Sequence, residues 1–362
     1  MVYNSSPKLS LLGLDRNELK AELEKIGEKP FRAKQLWHWI YYRGVTDFSR
    51  MTTIAKPLQE KLGEHYVVGR PELSKQQTSK DPSHKWLFKF HDGNEAETVF
   101  IPEDGRGALC LSSQIGCTLT CSFCHTGTQR LVRNLSTSEI VGQLMLARDT
   151  YGEWPSPQGE RLFSNIVMMG MGEPLHNYDQ LVVALRTMNH NFALRLSNRK
   201  ITVSSVGLLP ALLRLTEEIP VNIAISLNAT TEEQRRIVMP ITKKYSLKQL
   251  LETCLTITQS PNQKGRRITF EYVMMKGFND SLQDAKRLTE ILNGIPSTIN
   301  LIPYNENPDR DIQRPAFEQV KAFQTYLVSR GWYCSIRTTR GIDISAACGQ
   351  LGKSFQIIKQ PT

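Results

Sequence analysis

The chain is 362 residues long, 40% hydrophobic and 22% charged, with 45 Lys and Arg against 35 Asp and Glu for a net charge of +10. That length allows two domains, or one large domain with an appendage. No apolar run nears the roughly 18 residues of a membrane span, and MVYNSSPKLSLLGLDRNELK lacks a basic start, a long apolar centre and a cleavage site. Neither a membrane partner nor an export signal is expected, and the expected location is cytoplasmic. The positive excess points to nucleic acid, although a basic soluble enzyme would give the same count.

In chain order, Asp15 is expected to cap a helix in LDRNELKAELEKIG, ended by Gly27. Pro30 opens a second, PFRAKQLWHWIYYRG, with one apolar face and Gly44 as its stop. KPLQEKLGEHY is a third. Together they predict a small helical domain within residues 1–70, dense in Lys, Arg, Trp and Tyr. KWLFKFHDG, AETVFIPEDG and GALCLSSQIG alternate and predict strands, with turns at Asp92-Gly93 and Asp104-Gly105. A β extension is accordingly placed over 71–105 and the main domain over 106–362.

From there strands and helices alternate. STSEIVGQLMLARDTYG is a helix with Ser136 and Glu139 in capping-box spacing. NIVMMGMGEP is a strand and loop, QLVVALRTMNHNF a helix, RKITVSSVG a strand, LLPALLRLTEE a helix and VNIAISLNA a strand. A polar, basic insert follows. Then come RRITFEYVMMKG as a strand, SLQDAKRLTEILNG as a helix, STINLIPYN as a strand, AFEQVKAFQTYLVSRG as a helix and WYCSIRTTRG as a last strand. About six β/α units predict an α/β fold whose parallel sheet curls into a barrel or partial barrel, with chemistry at the C-terminal ends of the strands.

There are seven cysteines, an odd number that argues against a disulfide framework in a reduced compartment. Cys110, Cys117, Cys121 and Cys124 fall within one short stretch. In CTLTCSFCH the spacing is C-x3-C-x2-C, three thiols where a protein-held metal usually takes four ligands. A zinc knuckle completed by His125 or Cys110 is one reading. Adjacent residues such as Cys124 and His125 rarely close one tetrahedron, and no second C-x2-C pair is present. A [4Fe–4S] cluster with one iron left open to a cofactor is the other. Cys254, on a helix, and Cys334, on a strand, are read as packing residues.

C-x3-C-x2-C after a first barrel strand resembles the signature of the radical S-adenosylmethionine superfamily, with Phe123 at the aromatic position common there. The resemblance implies that Cys117, Cys121 and Cys124 hold one [4Fe–4S] cluster. The open iron would bind the amino and carboxylate groups of S-adenosylmethionine, and one electron would split its sulfonium. GMGEP resembles the superfamily's motif for the methionine amino group, which assigns Gly172 and Glu173. Ser204, Ser226, Leu227, Asn228 and Asn305, at or beside strand ends, match further cofactor contacts.

Over nearly the whole chain, ETVFIPEDGRGALCLSSQIGCTLTCSFCHTGTQ, VMMGMGEPL, NLIPYN and RTTRGIDISAACGQL resemble the adenine-C2 RNA methyltransferases, which act on 23S rRNA and tRNA. The implied fold is a partial (β/α)6 radical-SAM barrel with a helical accessory domain that binds RNA. C2 of adenine lies between two electron-withdrawing nitrogens and is no nucleophile, so a polar methyl transfer has no electron pair to use. By resemblance, Cys348 is methylated by one S-adenosylmethionine and a second starts the radical chemistry, two per turnover. Glu97 accepts the C2 proton. Cys110 attacks Cys348 to form a transient disulfide and free the base. A low-potential electron donor such as a flavodoxin or ferredoxin is implied, and a monomer is expected. HTGTQRL, after Cys124, reads as a variable loop.

Two alternatives stand beside this. One is the sister group that methylates adenine C8; the other is a zinc-stabilised RNA-binding module without catalysis. Candidate phosphate contacts are Lys75, Lys80 and Lys85, Arg130 and Arg133, Arg195, Arg199 and Lys200, Lys264, Arg266 and Arg267, and Arg337 and Arg340.

Overall fold

A computed structural model describes residues 8–307 and 310–352. At the N-terminus, Asp15 accepts from the backbone N–H of Asn17 and Glu18 while the Glu18 carboxylate takes the Asp15 N–H, a complete capping box that starts α1 (Arg16–Lys25). The second helix begins as α2 (Arg32–Trp37) and widens into a π-turn over His38–Tyr42. α3 (Lys56–His65) follows, with Pro in its first turn. The short strands β1 (Leu9–Ser10) and β2 (Tyr66–Val67) pair in parallel and join the two ends of this unit. Leu19, Leu36, Ile40 and Leu62 form its core. It is fastened to the rest by Arg70, whose Nε donates to Asp149 (2.9 Å), and by the Ser156 N–H on Tyr42 O (2.7 Å).

A ten-stranded sheet carries the remainder. β3 (Glu72–Thr78), β4 (His84–Lys89), β5 (Glu95–Glu103) and β6 (Arg106–Cys110) run antiparallel. The short pair β7 (Gln114–Ile115) and β8 (Arg133–Asn134) brackets the cysteine stretch. β6 then pairs in parallel with β9 (Asn165–Met168), followed by β10 (Ile201–Ser205), β11 (Asn222–Ser226), β12 (Ile268–Met274), β13 (Ser297–Pro303) and β14 (Cys334–Ile336).

The connecting helices are α4 (Thr137–Tyr151), α5 (Tyr178–Asn189), α6 (Leu209–Glu218), α8 (Leu247–Gln259), α9 (Leu282–Ile291) and α10 (Phe317–Ser329), with the extra α7 (Glu232–Val238) before α8. The parallel part is therefore six β/α units and a seventh strand, the expected α/β partial barrel. The ten-stranded sheet stays open among the described residues, with β3 and β14 at its edges. No helix among the described residues is long and apolar enough to cross a membrane.

The sequence reading missed β3, α7 and α8, besides the two-residue strands β1, β2 and β8. β3 is almost wholly exposed, so it lacks the alternation that marks a half-buried strand. α7 and α8 lie in the stretch read as a basic insert. Yet α8 has a capping box at Ser246 and Gln249 and buries Leu247, Leu250, Cys254 and Ile257 at helical spacing. GALCLSSQIG is also not one strand. It breaks after Cys110, where the Leu111 and Ser113 N–H groups turn to the carbonyls of Val167 (2.9 Å) and Met171 (2.9 Å).

Candidate active site

A parallel sheet brings the C-terminal ends of its strands to one rim. Here Met168, Ser204, Ser226, Glu271 and Ile302 come from five successive strands, Arg337 from just past the seventh, and Cys124 and Cys348 from two loops. Together they wall one cavity of about 820 Å³ including its open mouth. Of the predicted cofactor contacts, Gly172, Glu173, Ser204, Ser226, Asn228 and Asn305 lie on this wall. Leu227 does not: its side chain is fully buried in the core, and its N–H donates to Glu271 O (3.0 Å).

The GMGEP loop is shaped by packing. A Cβ on Gly172 (φ +93°) would stand 2.5 Å from Gln114 Cβ, and one on Gly170 would stand 2.6 Å from Ser112 Oγ. Only glycine lets this loop press onto the segment after β6. Glu173 is held by two N–H donors, Leu175 on Oε1 (3.2 Å) and Val206 on Oε2 (3.1 Å), while burial pushes its carboxyl up to about 7. Asn228 takes a left-handed conformation (φ +58°), and its Oδ1 accepts from Val273 N–H (2.8 Å). Asn305 Nδ2 donates to Cys348 O (3.0 Å). Its Oδ1 is buried and meets no donor among the described residues, an acceptor left for a ligand.

Sequence reasoning passed over Arg235, which is 1% exposed. Its guanidinium donates to Val206 O (2.6 Å), Leu227 O (3.3 Å), Ser226 O (3.3 Å) and Thr242 Oγ1 (2.9 Å), tying together the loops after β10 and β11. No pattern marks it in TTEEQRRIV; only the fold makes it interior.

Cys124 stands close enough to raise the thiol pKa of Cys117 and Cys121, and Cys117 that of Cys121. Burial is the larger cause, pushing Cys117 up to about 12 and Cys121 and Cys124 above the ordinary thiol range. All three are free. No group of three or more His, Cys, Asp or Glu side chains among the described residues could hold a single metal ion. An iron–sulfur cube spreads its thiolates over separate corners, so three soft thiols on one turn fit it better than they fit a zinc ion.

Neither candidate fourth zinc ligand, His125 or Cys110, forms a metal-holding group with these thiols among the described residues. His125 Nδ1 pairs with Asn307 (3.2 Å), and the thiol that acts on buried Cys110 is Cys348. Burial pushes Cys110 up to about 12; Cys348 adds to that and Arg337 opposes it. Cys110 and Cys348 line a second, smaller pocket, and Cys348 lines both cavities.

The stretch read as a variable loop after Cys124 grips the Cys348 loop. His125 N–H donates to Gly349 O (2.7 Å), Thr126 Oγ1 to Leu351 O (2.8 Å), and Gln129 Nε2 to Gly352 O. Three candidate phosphate contacts are engaged inside the protein. Lys85 is buried against Glu97 (3.1 Å), and Arg133 pairs with Asp92 (2.5 Å) and Glu139 (2.7 Å). Arg337 is a cavity wall residue beside Cys348, whose thiolate would hold the guanidinium pKa up. Lys75, Lys80, Arg130, Arg199, Lys200, Lys264, Arg267 and Arg340 are exposed, and Arg195 and Arg266 half-buried.

The family described as "Radical SAM superfamily" matches residues 111–289, and "Ribosomal RNA large subunit methyltransferase N-terminal domain" matches residues 9–68. A radical SAM methyltransferase from Sphaerobacter thermophilus is 36% identical, superimposes with a TM-score of 0.88, and the match covers 95% of this chain and 99% of that one. Fold and site thus define a radical S-adenosylmethionine enzyme, a class that uses a [4Fe–4S] cluster and S-adenosylmethionine.

Proteins named dual-specificity RNA methyltransferase RlmN are 52% identical in Gluconobacter oxydans, over 94% of this chain and 84% of that protein, and 54% identical in Rhodospirillum rubrum, over 96% and 81%. The chain belongs to the dual-specificity RNA methyltransferase RlmN family.

Proposed function

We propose that the protein methylates C2 of an adenosine in 23S rRNA and of the adenosine 3′ of the anticodon in a subset of tRNAs, using two S-adenosylmethionine molecules per turnover. One observation carries the reading: Cys348 stands at the junction of the cofactor-sized cavity and the pocket of Cys110. A methyl group taken up by that sulfur faces the cavity on one side and a second thiol on the other.

In this reading Cys117, Cys121 and Cys124 hold the cluster. Gly172, Glu173, Ser204, Ser226, Asn228 and Asn305 hold the cofactor, and Leu227 lies off the cavity wall. When bound, the two groups supply a methyl group and one-electron chemistry at that methyl. The chain does the rest. Arg337 stands beside Cys348 on the cavity wall, and the thiolate of Cys348 is the form that displaces a sulfonium methyl. Glu97 accepts the proton from C2. Cys110, as a thiolate, then bonds to the Cys348 sulfur as that sulfur's bond to carbon breaks. The electron pair stays with the base, whose methylene takes up a proton to become the methyl group, and the odd electron would return to the cluster. The resulting disulfide is reset by an external thiol.

RNA is bound by the helical unit within 1–70 and by exposed cations around the barrel of 106–362, with 71–105 bridging them. The target base leaves its stack to reach the cavity. A flavodoxin- or ferredoxin-like donor supplies the electron, and the protein acts in the cytoplasm as a monomer. Nucleoside mass spectrometry of RNA from a strain lacking the gene tests the reading. Loss of 2-methyladenosine is expected; loss of 8-methyladenosine instead would assign the protein to C8.

A further inference from the structure

Lys85 and Glu97 are both shut away from solvent, at 2% and 0% exposure. The antiparallel register explains why they meet. Lys85 opposes Val99 and Leu87 opposes Glu97 across β4–β5, and Val99 opposes Cys110 across β5–β6. Opposed residues share a sheet face, as do residues two apart on one strand. Lys85, Glu97 and Cys110 therefore lie on one face, the face whose Val99 and Ile101 line the pocket of Cys110 and Cys348. Lys85 Nζ is 3.1 Å from Glu97 Oε1.

The pair also holds the Cys348 loop at both ends. Lys85 Nζ donates to Ser345 O (3.3 Å), and Gly352 N–H donates to Glu97 Oε2 (2.7 Å). Cys348 lies between these two anchors. Ser345 has φ +51°, a conformation a serine keeps only when its surroundings hold it. The bonds to this loop from His125, Thr126 and Asn305 are neutral, whereas at its start Asp81 accepts from Gly341 N–H (2.7 Å) and Asp343 accepts from Ser79 Oγ and from Lys80 N–H (3.1 Å). The Lys85–Glu97 link is ionic, and in a dry setting it holds only while both charges stand.

We propose that Lys85 is a positioning residue that, through Glu97, clamps the Cys348 loop over the cavity, and that a proton arriving on Glu97 opens the clamp. This rests on Glu97 being the acceptor of the C2 proton. In that step a carboxylate oxygen gains the hydrogen that C2 loses, and the electron pair of the C–H bond stays on the base. The neutral acid attracts Lys85 less strongly, and it accepts more weakly from Gly352 N–H. The loop loosens when the Cys348 sulfur must meet Cys110, so one ion pair orders the steps: closed during methyl transfer, open for disulfide formation.

Hydrogen–deuterium exchange over residues 341–352 of the full-length, cluster-loaded protein tests this, with α4 as the internal control. Lys85→Met and Glu97→Gln are expected to speed exchange in this loop about tenfold or more, the scale of a lost charged hydrogen bond. Lys85→Arg keeps the charge and is expected to restore slow exchange. Wild-type exchange in both neutral variants overturns the clamp.

Product formation separates the underlying reading. If Glu97→Gln turns over at the wild-type rate, Glu97 is not the acceptor, whatever the loop does. Should Lys85→Met fail to fold, the near-isosteric Glu97→Gln against Lys85→Arg makes the same comparison.

Discussion

The two halves of the sheet bury different chemistry. The parallel arc from β9 to β14 has a largely apolar interior, in which Glu271 of β12 accepts from Asn300 Nδ2 of β13 (2.9 Å), and it presents small polar groups such as Ser204 and Ser226 where its strands end. The antiparallel flank of β3 to β5 carries charge inside, with Lys85 and Glu97 among its best-buried side chains. β6 is the seam between them, antiparallel to β5 and parallel to β9, and it ends at Cys110. The arc builds a container; the flank builds what acts on the Cys348 loop that closes it.

If the seam is where the methyl group changes hands, Cys348→Ala breaks the system most completely. Product and covalent RNA adduct are both expected to vanish, a loss of about 10⁴-fold or more, as for a nucleophile removed from a covalent mechanism. Nucleoside mass spectrometry and a denaturing gel read the two outcomes, and residual methylation would detach the loop from the chemistry. Cys110→Ala is expected to differ in kind: the adduct forms and persists, because attachment precedes resolution. Clean turnover by that variant would remove Cys110 from the mechanism.

The arc alone is probed by Arg235→Leu, which leaves several carbonyls of the loops after β10 and β11 without a donor. A loss of about 3 kcal/mol in denaturant melts is expected, with S-adenosylmethionine binding weakened as those loops loosen; an unchanged melt would make the four bonds incidental.

The smallest effect is one of pH. Burial lifts the Glu173 carboxyl to about 7, so the free protein carries it neutral below that pH and charged above it. An ammonium ligand favours the charged form. Affinity for S-adenosylmethionine is therefore expected to rise about tenfold from pH 6 to 8 and to flatten in Glu173→Gln, measured by calorimetry. The same shift means the native state binds the proton more tightly than the unfolded chain. Stability of the unliganded fold should accordingly fall as pH climbs from the ordinary carboxylate range towards 7.

The arc was legible in the sequence because its signals are local. Short apolar runs alternate with amphipathic helices, and turn-forming residues stand at strand ends, so Ser204, Ser226 and Asn228 could be put at strand ends from position, while a cofactor role for them came from the family resemblance. The flank was not. β3 shows no alternation, and Lys85 looks like any surface lysine until β4 and β5 are set in register. Arg337 and Arg133 misled in the same way, since a charge count cannot tell a solvated cation from one turned inward. Arg235 has no signature beyond a short charged helix. Cys110 and Cys348, more than two hundred residues apart, become a pair only through the sheet's curl, which no spacing rule reports.

The turn that carries Cys117, Cys121 and Cys124 is stitched directly to the Cys348 loop through His125, Thr126 and Gln129. In the proposed reading, in which that turn takes up the cluster, its loading and the shape of the arm beside it are expected to be coupled. Oxygen damage at the one should disable the other, and repair of the metal site should restore both together.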